Sequence, residues 1–304
     1  MKSLLSPRLV VASLLLAASP GTAHDEDTPH DHPTTASAVS GTPRVVVQIE
    51  PGPNPWTHLN LHNNPRHFQF AIVTDRTGGH RPGIFEDAVR KLNLLRPEFV
   101  MSVGDLIEGY TTNEAEIDRQ WKEFMSFTAQ LKMPFFYVPG NHDISNPVMA
   151  KEWQKRFGRS YYHFVYQDVL FLCVNSEDQR PANISDEQIK YMAAALEANE
   201  NVRWTLVFFH QPLWTYIERA EAARATNPKA PPPPQNGWRK MEALLQDRPY
   251  TVFVGHNHNY LKFERNDRRY IILATTGGAT ALRGPVFGEF DHVAWVTMTD
   301  DGPL

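Results

Sequence analysis

Residues 134–143, Pro134-Phe135-Phe136-Tyr137-Val138-Pro139-Gly140-Asn141-His142-Asp143, run from apolar side chains into a proline, a glycine and three polar side chains. The aromatic and β-branched part predicts a buried strand, and Pro139-Gly140 predicts a turn at its C-terminal end. Open α/β sheets bind ligands at that edge. The stretch therefore predicts a strand that leads into a functional loop.

Four other apolar runs also end at a carboxylate or an imidazole. They are residues 68–74 before Asp75, 99–103 before Gly104-Asp105, 204–209 before His210, and 251–254 before Gly255-His256-Asn257-His258. Oxygen and imidazole donors that converge on one sheet edge suit divalent ions such as Mn²⁺, Fe or Zn²⁺. An extended backbone sends His256 and His258 to the same side, because they are two residues apart. The five runs together predict a metal site built from strand ends.

These motifs carry a family resemblance. Over residues 68–258 the chain resembles the calcineurin-like metallophosphoesterases through Gly104-Asp105, Gly140-Asn141-His142-Asp143, His210 and Gly255-His256-Asn257-His258, in the family's order. The resemblance implies an α/β fold, an αββα sandwich of two mixed sheets flanked by helices. It also implies two divalent metal ions, Mn, Fe, Zn or Mg, bridged by Asp105. By the same resemblance, Asn141, His210 and His256 complete one site, and Asp75 and His258 complete the other.

The residues after Asn141 are predicted to be catalytic. In the resembling family, the position of His142 contacts the phosphate and protonates the leaving oxygen, and an imidazole suits that role because it titrates near neutrality. Asp143 could hold the His142 ring in one tautomer, or it could cap a helix N-terminus. The sequence leaves both roles of Asp143 open.

The first motif departs from the family pattern, because Asp-x-His is replaced by Asp75-Arg76-Thr77. A threonine hydroxyl is a poor replacement for a neutral imidazole. Glu108, three residues after Asp105, occupies the offset at which the related purple acid phosphatases carry a tyrosine ligand, so we favour it as the replacement. His80 is the alternative. If Glu108 is the ligand, His80 and Arg81 are predicted to bind substrate phosphate, as is Arg76, because guanidinium pairs with phosphate bidentately.

The N-terminal part predicts export. Residues 1–23 contain the basic Lys2 and Arg8, an apolar run at 9–18 and small residues at 21–23, which is typical of a signal peptide. The apolar run is shorter than the roughly 20 residues that span a bilayer, and no later segment is predicted to be transmembrane. Residues 24–55, rich in His, Asp, Pro and Thr, are predicted to be a disordered leader, and 56–304 a single metallophosphoesterase domain. The predicted location is periplasmic or secreted.

The segments between the motifs alternate between helical and extended patterns. Apolar periodicity predicts helices over residues 83–95, 114–131, 147–157, 185–199 and 237–245. Hairpin turns are predicted at Gln167-Asp168 and Asn266-Asp267. Residues 214–236 and 275–291 are predicted to be long loops, the first a rim over the site. Residues 299–302 are predicted to be a hairpin turn without a second strand, and Cys173, the only cysteine, a buried apolar residue.

The charge of the chain restricts its partners. A net charge of -4 provides no basic field, so dedicated nucleic-acid binding is not predicted. We predict an exported metal-dependent phosphoesterase that hydrolyses phosphomonoesters or phosphodiesters of a small molecule or lipid with water activated by two metals. A pyrophosphate or nucleotide-diphosphate hydrolase and a catalytically impaired phosphate-ligand-binding protein of the same fold are the alternatives. The sequence identifies neither the natural substrate nor the metals nor the oligomeric state.

Overall fold

The computed structural model describes residues 45–47, 52–59 and 67–304. They belong to one unit that spans Gly41–Leu304. The predicted signal peptide and most of the predicted leader lie outside the described residues. Within the described part of the chain, no helix is both long enough and apolar enough to cross a membrane.

The described strands form two sheets. The seven-stranded sheet has the order β1-β5-β6-β7-β8-β10-β9. Its strands are β1 (Val46–Val47), β5 (Tyr162–Tyr166), β6 (Val169–Cys173), β7 (Trp204–Phe208), β8 (Tyr250–Val254), β10 (Arg268–Ile272) and β9 (Leu261–Arg265). The five-stranded sheet has the order β12-β11-β2-β3-β4. Its strands are β12 (Gly302–Pro303), β11 (Ala294–Thr299), β2 (Phe68–Val73), β3 (Val100–Ser102) and β4 (Phe135–Phe136).

Parallel pairing aligns the strand ends that matter for function. In the five-stranded sheet β2 pairs with β3 and β3 with β4, both in parallel. In the other sheet β6, β7, β8 and β10 are parallel neighbours. Parallel strands place their carboxyl ends at one edge of the sheet, which is where open α/β sheets bind ligands.

Six helices cover the outer faces of the two sheets among the described residues. They are α1 (Ile84–Leu95), α2 (Glu114–Thr128), α3 (Pro147–Phe157), α4 (Asp186–Ala198), α5 (Leu213–Thr226) and α6 (Trp238–Leu245). Side chains of α1, α2 and α3 pack on the five-stranded sheet. Side chains of α4, α5 and α6 pack on the seven-stranded sheet. Five of these helices, all except α5, were predicted from the sequence, and they are confirmed together with the αββα sandwich.

The inner faces of the two sheets share one aromatic core. The ring of Phe99 stacks on that of Phe70. It also makes an edge-to-face contact with Phe171 of the opposite sheet, and these two ring centroids are 5.3 Å apart. Aromatic pairs of this kind add to the free energy gained by burying apolar area. Cys173 lies in the same core, and burial raises the pKa of its thiol, so it is an inert apolar residue as predicted.

The predicted boundary of the domain at residue 56 is too late. Val46–Val47 pairs antiparallel with β5, and the amide of Tyr137 donates to the carbonyl of Pro55 at 2.6 Å. Part of the predicted leader is thus hydrogen-bonded to both sheets. A two-residue strand is too short to show periodicity, so the sequence alone could not reveal it.

Two segments predicted to be irregular contain regular structure. Most of residues 214–236 forms α5, whose buried side chains, Leu213, Trp214, Thr215 and Ile217, come only from its first turns. The rest of the helix is exposed and alanine-rich, so intrinsic propensity supports it without an apolar stripe. The turn after β11 does have a second strand, because β12 pairs with it.

The predicted rim contributes to a cavity that is separate from the predicted metal ligands. The irregular remainder of this segment, including Pro232 and Asn236, lines a cavity of about 800 Å³ with Ser185 and Lys240. None of the predicted metal ligands lines that cavity.

Candidate metal centre

The side chains predicted as metal ligands converge from both sheets. Asp75, Asp105 and Asn141 follow β2, β3 and β4, while His210 and His256 follow β7 and β8. Their ligand atoms form two groups, Asp105 with His210 and His256, and Asp75 with Asp105 and His258. Within each group the atoms lie within 4.8 Å of one another. Asp105 belongs to both groups, so it lies where a bridging ligand would.

Backbone carbonyls orient two of the imidazoles. The Nδ1 atoms of His210 and His258 lie 2.9 and 2.6 Å from the carbonyl oxygens of Val103 and Ala279. Their Nε2 atoms consequently face the carboxylates, 3.0 Å from Asp105 Oδ2 for His210 and 3.3 Å from Asp75 Oδ1 for His258. A second hydrogen bond of this kind fixes the tautomer of a metal-binding histidine.

The backbone of the ligands is strained. Asp75, Asp105, His256 and His258 have positive φ angles of 29°, 56°, 72° and 53°. Non-glycine residues persist in such conformations only where the surrounding structure holds them, which is common at functional sites. Gly140 shows how close the packing is, because a Cβ atom there would lie 2.3 Å from Asp105 Oδ1.

The electrostatics of the group are those of a preformed cation site. Burial raises the pKa of Asp105, but His210 lowers it to about 2. Burial lowers the pKa of His210, but Asp105 raises it to about 10. Burial and His210 together lower the pKa of His256 to about 4. A proton on His210 thus balances the carboxylates, and a metal ion would displace that proton because histidine binds metals in its neutral form.

Asn141 presents an oxygen that suits a metal ion. Its Oδ1 atom is buried and has no hydrogen-bond partner among the described residues. Its Nδ2 atom donates to the Tyr110 hydroxyl at 2.9 Å. Buried polar atoms without a partner are rare and call for an explanation. An amide oxygen beside carboxylate and imidazole donors fits a hard or borderline divalent ion.

His142 is held with one ring nitrogen available. Its Nδ1 atom lies 2.7 Å from the carbonyl oxygen of Glu108, and its backbone amide donates to Asp105 Oδ1 at 2.9 Å. The Nε2 atom lies 3.9 Å from Asp105 Oδ2. His142 therefore points towards the metal centre without belonging to either ligand group.

Neither predicted role of Asp143 is correct. Its Oδ1 atom accepts from the amides of Leu106 and Ile107 at 2.9 and 3.1 Å, and its Oδ2 atom accepts from the amide of Gly140 at 2.8 Å. The carbonyl of Glu108 orients the His142 ring instead, and Asn146 caps α3. Burial and Asp105 raise the pKa of Asp143 to about 7. Asp143 joins the loops after β3 and β4, and so positions Asp105 and Asn141.

The two arginines predicted to bind phosphate are engaged elsewhere. Arg76 is buried, donates to Glu123 and to the carbonyl of Leu106 at 3.2 Å, and lies over the ring of Phe127. Arg81 forms a bidentate pair with Asp291 and donates to the carbonyl of Gly278 at 3.0 Å. Each guanidinium already has a carboxylate partner in this structure, and phosphate binding by Arg76 and Arg81 stays a prediction.

Glu108 and His80 contact each other rather than the ligand groups. The Oε1 atom of Glu108 accepts from the amide of His80 at 2.8 Å and from that of Gly79 at 3.2 Å, and lies 3.3 Å from His80 Nδ1. Burial raises the pKa of Glu108, but the neighbouring Thr77 and these donors lower it to about 2. Neither side chain belongs to a ligand group. These contacts favour a role for Glu108 in holding residues 78–80 over its predicted role as a ligand, and replacement of Glu108 distinguishes the two.

One residue of the centre was missed at the sequence level. Tyr110 contacts both Asn141 and His142, yet it is 62% exposed. It lies five residues after Asp105 in the same loop, and no local pattern distinguishes it from an ordinary surface aromatic residue.

A two-sheet sandwich whose strand ends assemble two ligand groups around a shared carboxylate is the arrangement expected of a hydrolase with a pair of metal ions. The family model described as calcineurin-like phosphoesterase matches residues 57–271. The chain belongs to the calcineurin-like phosphoesterase family.

Two groups of curated relatives are similar to parts of the chain. A serine/threonine-protein phosphatase CPPED1 from Bos taurus is 29% identical over 147 residues, which is 42% of this chain and 45% of the relative. A tartrate-resistant acid phosphatase type 5 from Rattus norvegicus is 22% identical over 214 residues, 59% of this chain and 61% of the relative. The chain thus matches about half of the length of these relatives.

Solved structures share the fold. A dimetal phosphatase from Danio rerio superposes with a TM-score of 0.51 at 15% identity, covering 75% of this chain and 92% of the other. GAP50, described as the anchor in the inner membrane complex of Plasmodium, gives a TM-score of 0.55 at 17% identity and covers 78% and 82%. At these identities the similarity shows the fold alone.

Proposed function

We propose that this protein is a metal-dependent phosphatase that hydrolyses phosphomonoesters. The proposal rests on Asp105, which belongs to both ligand groups, because a shared carboxylate can hold two ions close together. Asp105, Asn141, His210 and His256 would hold one ion, and Asp75, Asp105 and His258 would hold the other. The mixture of carboxylate, amide and imidazole donors suits Mn, Fe or Zn, and Mg is the fourth candidate.

The protein residues have distinct tasks in this reaction. When bound, the two ions supply the Lewis acidity that polarises a phosphoryl oxygen and lowers the pKa of the attacking water. His142, whose Nδ1 atom is engaged by the Glu108 carbonyl, donates a proton from Nε2 to the leaving oxygen. Asp143 holds the two ligand loops together through backbone amides. Preorganisation of this kind leaves little reorganisation for the reaction itself.

The names of the relatives support a monoester as the substrate class, and the ligand count supports space for a phosphate at the metal centre. The curated relatives in both groups are named phosphatases. The three-ligand group of Asp75, Asp105 and His258 has fewer protein ligands than a closed metal site, which leaves room for water or a phosphate oxygen. A phosphorylated small molecule or lipid is the proposed substrate, and a diester or pyrophosphate the alternative.

A substrate panel tests the proposal. The purified chain, reconstituted separately with Mn²⁺, Fe²⁺, Zn²⁺ and Mg²⁺, is assayed with para-nitrophenyl phosphate, its bis ester and pyrophosphate. We expect metal-dependent turnover that is highest with the monoester and is lost on chelation. A preference for pyrophosphate would support the diphosphate-hydrolase alternative. No turnover of any substrate, with two ions bound, would identify a binding protein instead.

We further propose that the protein is exported to the periplasm or secreted, on the basis of residues 1–23. Expression of the full chain should yield a product that begins near residue 24 outside the cytoplasm, measured by fractionation and intact mass. A Leu15→Asp variant should stay uncleaved in the cytoplasm, because a charge interrupts the apolar run that the export machinery requires. An uncleaved wild-type chain in the cytoplasm would contradict export.

Replacement of Glu108 distinguishes two roles of its carboxylate: acceptance from the amides of Gly79 and His80, or coordination of a metal ion. We expect Glu108→Ala to retain two metal ions but to lose about tenfold in kcat/KM, because the amides of Gly79 and His80 lose a charged acceptor. The effect reaches the centre through Gly78, where a Cβ atom would lie 2.9 Å from His258 Cε1. Glu114→Ala, which removes another exposed carboxylate, is the control. A fall to one ion per chain would show instead that Glu108 replaces the missing histidine.

A further inference from the structure

Three consecutive residues of the loop after β3, Glu108 to Tyr110, pack against Asn141 and His142. The carbonyl of Glu108 accepts from the His142 ring, and a Cβ atom on Gly109 would lie 1.7 Å from the His142 carbonyl oxygen. The Tyr110 ring meets the His142 ring edge to face with centroids 4.7 Å apart. The amide of Gly109 donates to Gln120 of α2 at 2.8 Å, which anchors the loop.

Tyr110 is held in this place at a conformational cost. Its φ angle is 48°, which is rare for a bulky residue, and its side chain is 62% exposed, so burial of apolar area does not explain the conformation. Strain of this kind is maintained where the contacts that it makes are used. The contact that distinguishes Tyr110 from an ordinary surface aromatic residue is its hydroxyl, which accepts from Asn141 Nδ2 at 2.9 Å.

An asparagine amide has two orientations that differ little in shape, and only one of them turns the oxygen towards a metal ion. The Tyr110 hydroxyl accepts from the NH₂ group and holds the amide in place, and in this arrangement the buried Oδ1 atom is left for the metal. We propose that Tyr110 is a positioning residue that holds the Asn141 side chain in place and so raises the affinity of the His210 and His256 site for its metal ion. This inference rests on the proposed role of Asn141 as a ligand.

The test is a double-mutant cycle read out as metal affinity, without reference to activity. The metal-free parent, Tyr110→Phe, Asn141→Ala and the double variant are titrated with Mn²⁺ by calorimetry. Loss of an outer partner of a metal ligand typically weakens binding by about 10–100-fold, so Tyr110→Phe should raise the dissociation constant of one site by at least about tenfold. Because the hydroxyl acts through Asn141, the double variant should bind no more weakly than Asn141→Ala alone.

Two controls separate positioning from folding. The metal-free Tyr110→Phe variant should melt at the parent temperature, because the lost hydroxyl belongs to an exposed side chain. Tyr191→Phe removes a tyrosine hydroxyl that lies 2.8 Å from His163 Nδ1, away from the ligand groups, and should leave Mn²⁺ affinity unchanged.

Each outcome supports or overturns the inference. Unchanged affinity in Tyr110→Phe, with weakened binding in Asn141→Ala, would overturn the role of Tyr110 but keep the proposed function. Additive losses in the double variant would also overturn it, because the hydroxyl would then act on something other than Asn141. Unchanged affinity in Asn141→Ala would remove Asn141 as a ligand and this inference with it.

Discussion

Replacement of His256 or Asn141 by alanine is expected to abolish phosphate-ester hydrolysis without unfolding the chain. His256 belongs to the ligand group of Asp105 and His210, and Asn141 is the proposed fourth ligand of that group. Loss of a direct ligand should cost more than the roughly 10–100-fold that the loss of an outer partner costs. The fold should survive, because the two sheets are held by a large aromatic core to which neither residue belongs.

Three measurements are needed for each variant: turnover of para-nitrophenyl phosphate, metal content by mass spectrometry, and melting by circular dichroism. His163→Ala is the matched control, because His163 is a buried imidazole whose Nδ1 atom contacts Tyr191 and which belongs to neither ligand group. It should retain both metal ions and turnover. Undiminished turnover in His256→Ala or Asn141→Ala would refute the two-metal proposal.

His142→Ala is expected to keep both metal ions and to lose about 10²–10⁴-fold in kcat, the range typical of a general acid. The side chain belongs to neither ligand group, and its Nε2 atom faces the centre while Nδ1 is engaged by the Glu108 carbonyl. Removal of the imidazole therefore removes the proton source and leaves the ligands in place.

The choice of substrate sharpens this prediction. A leaving group that departs readily as an anion, such as 4-nitrophenolate, needs less protonation than the alkoxide of glycerol phosphate. The loss in kcat should thus be larger with glycerol phosphate than with para-nitrophenyl phosphate. Equal losses on both substrates would argue against His142 as the general acid, and loss of a metal ion would identify it as a ligand.

The parts of the fold that were predicted correctly are those encoded by local patterns. Apolar runs such as 251–254 and amphipathic segments such as 114–128 show their structure through period and length. The motifs at the strand ends predicted the residues of the two groups, because the carboxyl ends of parallel strands lie at one edge of their sheet, but the approach of the two sheet edges was not predicted. β1 was missed because a two-residue strand depends on its pairing with β5, and α5 was missed because most of it lacks an apolar stripe.

The sequence by itself determined the class of fold, the family and the residues that could bind metal, because those follow from periodicity and from motif spacing. Only the tertiary structure decided how individual polar side chains are used. Arg81 pairs with Asp291, 210 residues away, and Asp143 binds the amides of another loop. No local pattern encodes a hydrogen bond between residues so distant in the chain, because the bond exists only once packing has brought its donor and acceptor together.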